Sequence, residues 1–238
     1  MTGPASRAPG GAGAVCAVAL AAGEGARLRP LTLAVPKALC PVGGVPLLDL
    51  TLARLADLGL AGPGSVAVNA CHLADQIAAH LAGRAHLSRE EPPALGTSGG
   101  VANLRGWIAG RAVLVCNADA YLAPEDPGAP GPGGGYGGLL AGWDGQTVRM
   151  LVTPALPGQE GEFGRERQWR FAGASLLPWR LVRDLPVRPG ELVTTVWRPA
   201  EARGELEFVP HRGVFIDCGT PADYQTANLH AETAGRQH

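Results

Sequence analysis

The chain has 238 residues, 46% of them hydrophobic and 17% charged, which supports one α/β domain with a sizeable core and excludes global disorder. A net charge of −1 excludes a strongly basic nucleic-acid footprint but leaves small anionic ligands open, because they need only local charge. Five cysteines without any C-x-x-C pair exclude a disulfide framework and a structural zinc site as leading readings, and point to reduced thiols in a cytoplasmic protein.

Residues 1–13 hold six Gly or Pro and no periodicity, so they read as a disordered tail ahead of a single domain over 14–238. No apolar run approaches the ~18–20 residues of a membrane span, and cleavage of a signal peptide near 14–22 would cut into the most informative segment of the chain. Residues 14–20, rich in Val and Ala, predict a buried parallel strand. A glycine-bearing loop follows, and Pro46 opens a helix with Leu48, Leu52 and Leu55 on one face. Residues 65–69 predict a second strand and 72–81 a second helix. The Gly-rich segment 96–100 enters a third helix over 101–108, and 112–116 predicts another strand ending in Asn117-Ala118-Asp119. Alternating β and α at this spacing predicts a Rossmann-like three-layer sandwich with a mixed, mostly parallel sheet, ligands lying at the strands' carboxyl ends. Residues 124–138, of which 11 are Gly or Pro, predict a mobile loop. Strands are then expected over 138–143, 148–153, 169–177 and 214–218, with a closing helix from Pro221.

Two features carry chemistry. Of the 20 basic residues, 19 are Arg, and Lys37 is the only lysine. Arg and Lys are interchangeable on a solvated surface but differ where a compact ammonium must meet a phosphate. Lys37 lies downstream of a loop in which Gly23 and Gly25 can bring backbone N–H groups close to phosphate oxygens, with Arg27 adding fixed charge. The spacing is neither G-x-x-x-x-G-K-[ST] nor G-x-G-x-x-G, which argues against a P-loop NTPase and a dinucleotide-binding oxidoreductase.

The run Gly23-x-Gly25-x-Arg27-Leu28-Arg29-Pro30-Leu31-Thr32, then Pro36-Lys37-x-Leu39-x-Pro41-Val42-x-Gly44-x-Pro46-Leu47-Leu48, resembles the signature of the sugar-1-phosphate nucleotidyltransferases. Asn69, Glu91 with Leu95-Gly96-Thr97-Ser98-Gly99-Gly100, Asn117-Ala118-Asp119 in place of N-G-D, and Phe215-Ile216-Asp217-Cys218-Gly219-Thr220-Pro221 are similar to later blocks of that family, in the same order. The resemblance implies an enzyme in which a sugar-1-phosphate oxygen attacks the α-phosphorus of an NTP, UTP or GTP, and pyrophosphate leaves in line. It implies catalytic roles for Arg27 and Lys37, and Mg²⁺ held by Asp119 and Asp217. It further implies nucleotide contacts from Leu20, Ala22, Gly23, Glu24, Gly25, Asn69, Glu91, Gly96, Thr97 and Ser98.

Many relatives carry a Glu-Lys-Pro tripeptide on the sugar side, which a chain with one lysine cannot have. Val152-Thr153-Pro154, Gly161-Glu162-Phe163-Gly164 and Phe171-Ala172-Gly173 stand there instead. That pattern is similar to the short bacterial subgroup of N-acetylmuramate-1-phosphate uridylyltransferases and compact mannose-1-phosphate guanylyltransferases. Glu162 and Asn117 are the sugar-side candidates. His72, His80 and His211 are expected on solvated faces, and Trp169, Trp179 and Trp197 in the core or a sugar-pocket wall. Two alternatives stay open: a non-catalytic nucleotide-sugar-binding regulatory homologue, and cytidylyl or uridylyl transfer to a non-sugar phosphate. Base, sugar and oligomeric state are not legible in the sequence.

Overall fold

The computed structural model describes residues 14–123, 135–156, 158 and 160–235. The expected tail over 1–13 and residues 124–134 of the Gly/Pro-rich segment lie outside the described residues.

β1 (Val15–Leu20) leads into three short 3-10 helices at Ala26–Leu28, Leu31–Leu33 and Lys37–Leu39, then a hairpin of β2 (Pro41–Val42) and β3 (Val45–Pro46). α1 (Leu47–Asp57), β4 (Val66–Ala70), α2 (Ala74–Leu81), β5 (His86–Arg89), α3 (Gly96–Asn103), α4 (Arg105–Ile108) and β6 (Ala112–Asn117) complete the alternating half. The second half holds β7 (Tyr121–Leu122), α5 (Gly135–Leu140), β8 (Val148–Pro154), β9 (Trp169–Leu177) and α6 (Trp179–Val182). A π-helical turn at Val193–Trp197 follows, then α7 (Arg198–Ala202), β10 (Leu206–Pro210), β11 (Phe215–Ile216) and α8 (Pro221–Gly235).

Seven strands form one sheet in the order β10-β8-β9-β6-β1-β4-β5. β1 runs parallel to β4 and β6, β4 to β5, and β10 to β8, whereas β9 is antiparallel to both β6 and β8. The sheet is mixed and mostly parallel, as expected. Side chains alternate across it, so β1 contributes to two cores at once. Ala17 and Ala19 face Leu48 and Leu55 of α1 and Ile77 and Leu81 of α2. Cys16 and Val18 face Val101 and Ala102 of α3 and Ile108 of α4. Each of these buried Leu or Ile side chains contributes roughly 1.5–3 kcal/mol relative to exposure. The small residues of β1 let both helical layers approach the central strand. A third, smaller cluster joins Leu47, Tyr121, Cys218 and Ala227 beneath α8.

Three expectations are corrected, and two strands, β5 and β10, were not expected. Residues 138–143 are not a strand: α5 spans Gly135–Leu140, with Tyr136 and Leu139, one turn apart, buried against the α1–α2 face of the sheet. The Gly/Pro-rich segment therefore gives way to helix at Gly135. The third helix starts at Gly96 and is broken at Leu104 into two. β5 and β10 are strands with no apolar run because they form the two sheet edges, where one flank is unpaired. His211 is 4% exposed: its backbone N–H donates to Val152 and extends the β10–β8 pairing inward. His72 and His80 are half-buried and bonded to Thr32 O and Asp49. Trp197 lies in the α3 side of the core, with Trp169 and Trp179 packed against it.

Candidate functional site

The parallel strands β1, β4 and β6 end side by side, and their carboxyl ends open onto a cleft. The loop after β1 folds upon itself. Gly25 has φ +61, and a Cβ there would meet Thr32 Cγ2 at 2.9 Å and Lys37 Cβ at 3.0 Å, so only glycine fits. The Thr32 hydroxyl donates to Gly25 O at 2.9 Å. His72 and Gln76 of the α2 region reach across to Thr32 O and Ala34 O, both at 2.9 Å. The result is a loop held from within and from one side, with Lys37 buried at its end (6% exposed). A Cβ at Gly23 would meet nothing within 4 Å, so the loop's crest stays open to a ligand.

Lys37 Nζ donates to Asp119 Oδ2 at 2.9 Å and lies 3.4 Å from Asp217 O and 3.9 Å from Asp217 Oδ1. Arg27, largely exposed, stands 3.6 Å from Asp217 Oδ2. Asp119 leaves the end of β6 directly. Asp217 arrives through the antiparallel pairing of β11 with β7, in which Ile216 faces Tyr121. That two-residue ribbon brings the two aspartates to one point. Loss of water pushes the Asp217 carboxyl up, Lys37 opposes this, Asp119 adds to it and Arg27 opposes it. Gly219 completes the corner, since a Cβ there would lie 2.8 Å from both Arg27 Nη2 and Asp217 Oδ2. Ala118 is fully buried among the α1–α2 side of the core and its N–H donates to Leu20 O.

Behind this cluster lies a cavity of about 230 Å³ lined by Leu20, Ala22, Gly23, Asn69, Gly96, Thr97, Asn117 and Asp119, all predicted from sequence, together with Ala94 and Glu191. Asn69 is buried and bridges two loops: its Oδ1 accepts from Ala21 N at 2.8 Å and its Nδ2 donates to Glu90 Oε1 at 2.8 Å. Glu90 Oε2 accepts from Leu95 N at 2.8 Å. Gly100 makes room for this network, because a Cβ there would lie 2.6 Å from Asn69 Nδ2 and 2.9 Å from Glu90 Oε1.

Other predicted residues stand outside the cavity. Glu91 is exposed, and its neighbour Glu90 holds the buried position one residue earlier. Glu24 is exposed and paired with Arg29 at 3.1 Å. Ser98 is buried under the 188–192 segment, its N–H donating to Gly190 O. Glu162 has an exposed side chain, and its carbonyl accepts from Arg198 at 2.6 Å. Sequence reasoning missed Glu90 and Glu191. The first follows a polar edge strand that shows no alternation, and the second belongs to no motif.

Residues 17–127 match the MobA-like NTP transferase domain family. Over 110 residues the chain is 39% identical to mannose-1-phosphate guanylyltransferase of Mycobacterium tuberculosis, covering 44% of this chain and 30% of that protein. Over 112 residues it is 38% identical to N-acetylmuramate alpha-1-phosphate uridylyltransferase of Caulobacter vibrioides, covering 44% of this chain and 45% of that protein. The chain thus matches less than half the length of these curated relatives. The fold is shared more widely. HddC from Yersinia pseudotuberculosis, solved with GMP-PN, superposes with a TM-score of 0.67 at 18% identity over 90% of this chain and 98% of that one. A candidate glucose-1-phosphate thymidylyltransferase from Bacillus anthracis, solved with a sucrose, gives 0.68 at 17% identity over 92% and 95%. The described fold is therefore shared with these two solved structures, and residues 17–127 are similar to a MobA-like NTP transferase domain.

Proposed function

We propose that the chain is a Mg²⁺-dependent nucleotidyltransferase that couples an NTP, UTP or GTP, to a sugar-1-phosphate and releases pyrophosphate. The observation that carries this reading is the buried Lys37 ammonium set between two carboxylates from distant parts of the chain, at the rim of a cavity floored by an open glycine loop. Phosphoryl-type transfer asks the protein mainly to position reactants and offset charge. Lys37 orients the α-phosphate and the attacking phosphate oxygen. Arg27, exposed at the mouth, grips the β- and γ-phosphates as pyrophosphate departs. Asn69 holds Ala21 N–H, and so fixes the start of the loop on which the phosphates lie.

Asp119 and Asp217 fit a hard divalent cation: both carboxylates stand beside Lys37 Nζ at the cleft, and Mg²⁺ takes one or two carboxylates with water and substrate oxygens completing its shell. The chemistry supplied there when Mg²⁺ is bound is neutralisation of charge on the reacting phosphates. Among the described residues no group of three or more His, Cys, Asp or Glu makes an all-protein cage, in keeping with a site completed by substrate. A cytoplasmic setting belongs to the same reading, supported by five free thiols. Among the described residues no helix is long and apolar enough to cross a membrane.

The test is pyrophosphate release from a panel of NTPs and sugar-1-phosphates, with phosphocholine as a non-sugar acceptor. Turnover with a sugar-1-phosphate is expected. Nucleotide binding without turnover on any acceptor would overturn the reading in favour of a regulatory homologue.

A further inference from the structure

We propose that Glu191 selects the nucleobase, and that the base it selects is guanine; the inference rests on the nucleotide-binding reading of the cleft. Glu191 lines the same cavity as Asp119 but sits at its other end, against the start of α3. Its Oε2 accepts from the Thr97 hydroxyl at 2.7 Å and, more weakly, from Thr97 N at 3.4 Å. The Thr97 hydroxyl in turn accepts from Leu192 N at 2.7 Å, so the group that holds the carboxylate is itself fixed. Gly96, with φ +68, leaves the backbone bare beneath it: a Cβ there would lie 2.5 Å from Gly190 O and 2.7 Å from Glu191 Oε1. Among the described residues no donor reaches Oε1, and the long contact from Thr97 N leaves Oε2 only weakly engaged on its second side.

The cleft is therefore polar in two senses. Both cations of the cleft, Lys37 and Arg27, stand with Asp119 and Asp217, whereas among the described residues no cation pairs with Glu191, so a nucleotide enters with its phosphates toward Lys37 and its base toward Glu191. The cavity is smaller than the ~300–1,000 Å³ of sites that enclose a whole ligand, so it encloses the nucleoside while the phosphates run out over Gly23.

A carboxylate offers acceptors only. Guanine presents two adjacent donors, N1–H and the 2-amino group, which match the two oxygens as a bidentate pair. Uracil and thymine present one N–H between two carbonyls, so bidentate approach would set a carbonyl oxygen against a carboxylate oxygen. Adenine and cytosine place a ring acceptor beside their amino group, with the same result.

Calorimetric titration of GTP, ITP and UTP with Mg²⁺ tests this directly. ITP is guanine's analogue without the 2-amino group. GTP is expected to bind about tenfold tighter than ITP and about a hundredfold tighter than UTP. Glu191→Gln keeps the size and an acceptor for Thr97 but replaces the other acceptor with a donor. It is expected to cost GTP tenfold or more and to leave UTP unchanged or improved. Equal affinity for GTP and ITP, or tighter binding of UTP, in the unaltered protein would overturn the proposal without any variant. An equal loss of GTP and UTP in Glu191→Gln, or a raised KM for sugar-1-phosphate alone, would also overturn it by making Glu191 a structural or sugar-side residue. GTP preference without pyrophosphate release from any acceptor would overturn the transferase reading and leave this one standing. Turnover with UTP in preference to GTP would do the reverse, and failure to bind any nucleotide would overturn both.

Discussion

The two ends of the cleft are built differently. The phosphate end is one contiguous loop, closed by Gly25, Thr32 and Lys37 against itself and finished by two aspartates. The base end is assembled from parts 94 residues apart, with Thr97 and Glu191 meeting only in the fold. A local motif can fix charge at a point, which is what every nucleotide's phosphates require. Reading a base takes contacts that can change without disturbing that motif, and a segment from the second half of the chain supplies them.

That contrast can be broken most directly at Lys37. Lys37→Ala is expected to lower kcat/KM for pyrophosphate release by about 10²–10³-fold, whichever NTP is used. A loss confined to one nucleotide would show that the two ends are not separable. Asn69→Ala comes next. It removes the acceptor of Ala21 N–H and strands a buried Glu90 oxygen, so a loss of about 1–3 kcal/mol in unfolding free energy is expected by urea denaturation. No loss would mean that the joint between the two ends bears no strain. Gly96→Ala should act at the base end alone: the Cβ collides with Gly190 O, and shifting the 188–192 segment costs about 1–3 kcal/mol. Nucleotide discrimination in that variant should fall further than turnover with saturating NTP.

The smallest effect concerns thiols. Burial pushes Cys116 up to about 12, and Cys16 and Cys218 to about 11, while Cys40 is raised by burial against the opposing pull of Lys37. Cys71 alone of the five is partly exposed, though raised by burial and by Glu90, Glu24 and Glu91. At pH 8 one thiol should react slowly with a disulfide reagent in the native protein, and the other four only after unfolding. Prompt reaction of more than one would show that the cores beside the phosphate loop open locally.

The phosphate end was legible because its residues are neighbours in sequence and their types are dictated by anion chemistry. Asp119 and Asp217 could be picked out as acids following apolar stretches. Their convergence could not, because β7 and β11 are too short to show a period. Glu90 gave no signal because it follows a polar edge strand, which offers no alternation from which to count register. α5 was misread as a strand because Leu139-Leu140-Ala141 is a short apolar run, which fits a strand or a buried helix equally well until packing decides. Glu191 carried no signal at all: its role depends on a loop that only the fold lays against Thr97.

The contact between Lys37 and Asp217 spans 180 positions. Closing so long a loop is among the last events a folding chain can complete, since its entropy is recovered only when β11 has found β7. On a ribosome, the glycine loop and the first six strands can emerge and pair while the centre that would transfer nucleotides does not yet exist. Partly made or truncated chains would hold the phosphate loop in order without the second carboxylate, so any chemistry that needs both acids waits until residue 217 has been made.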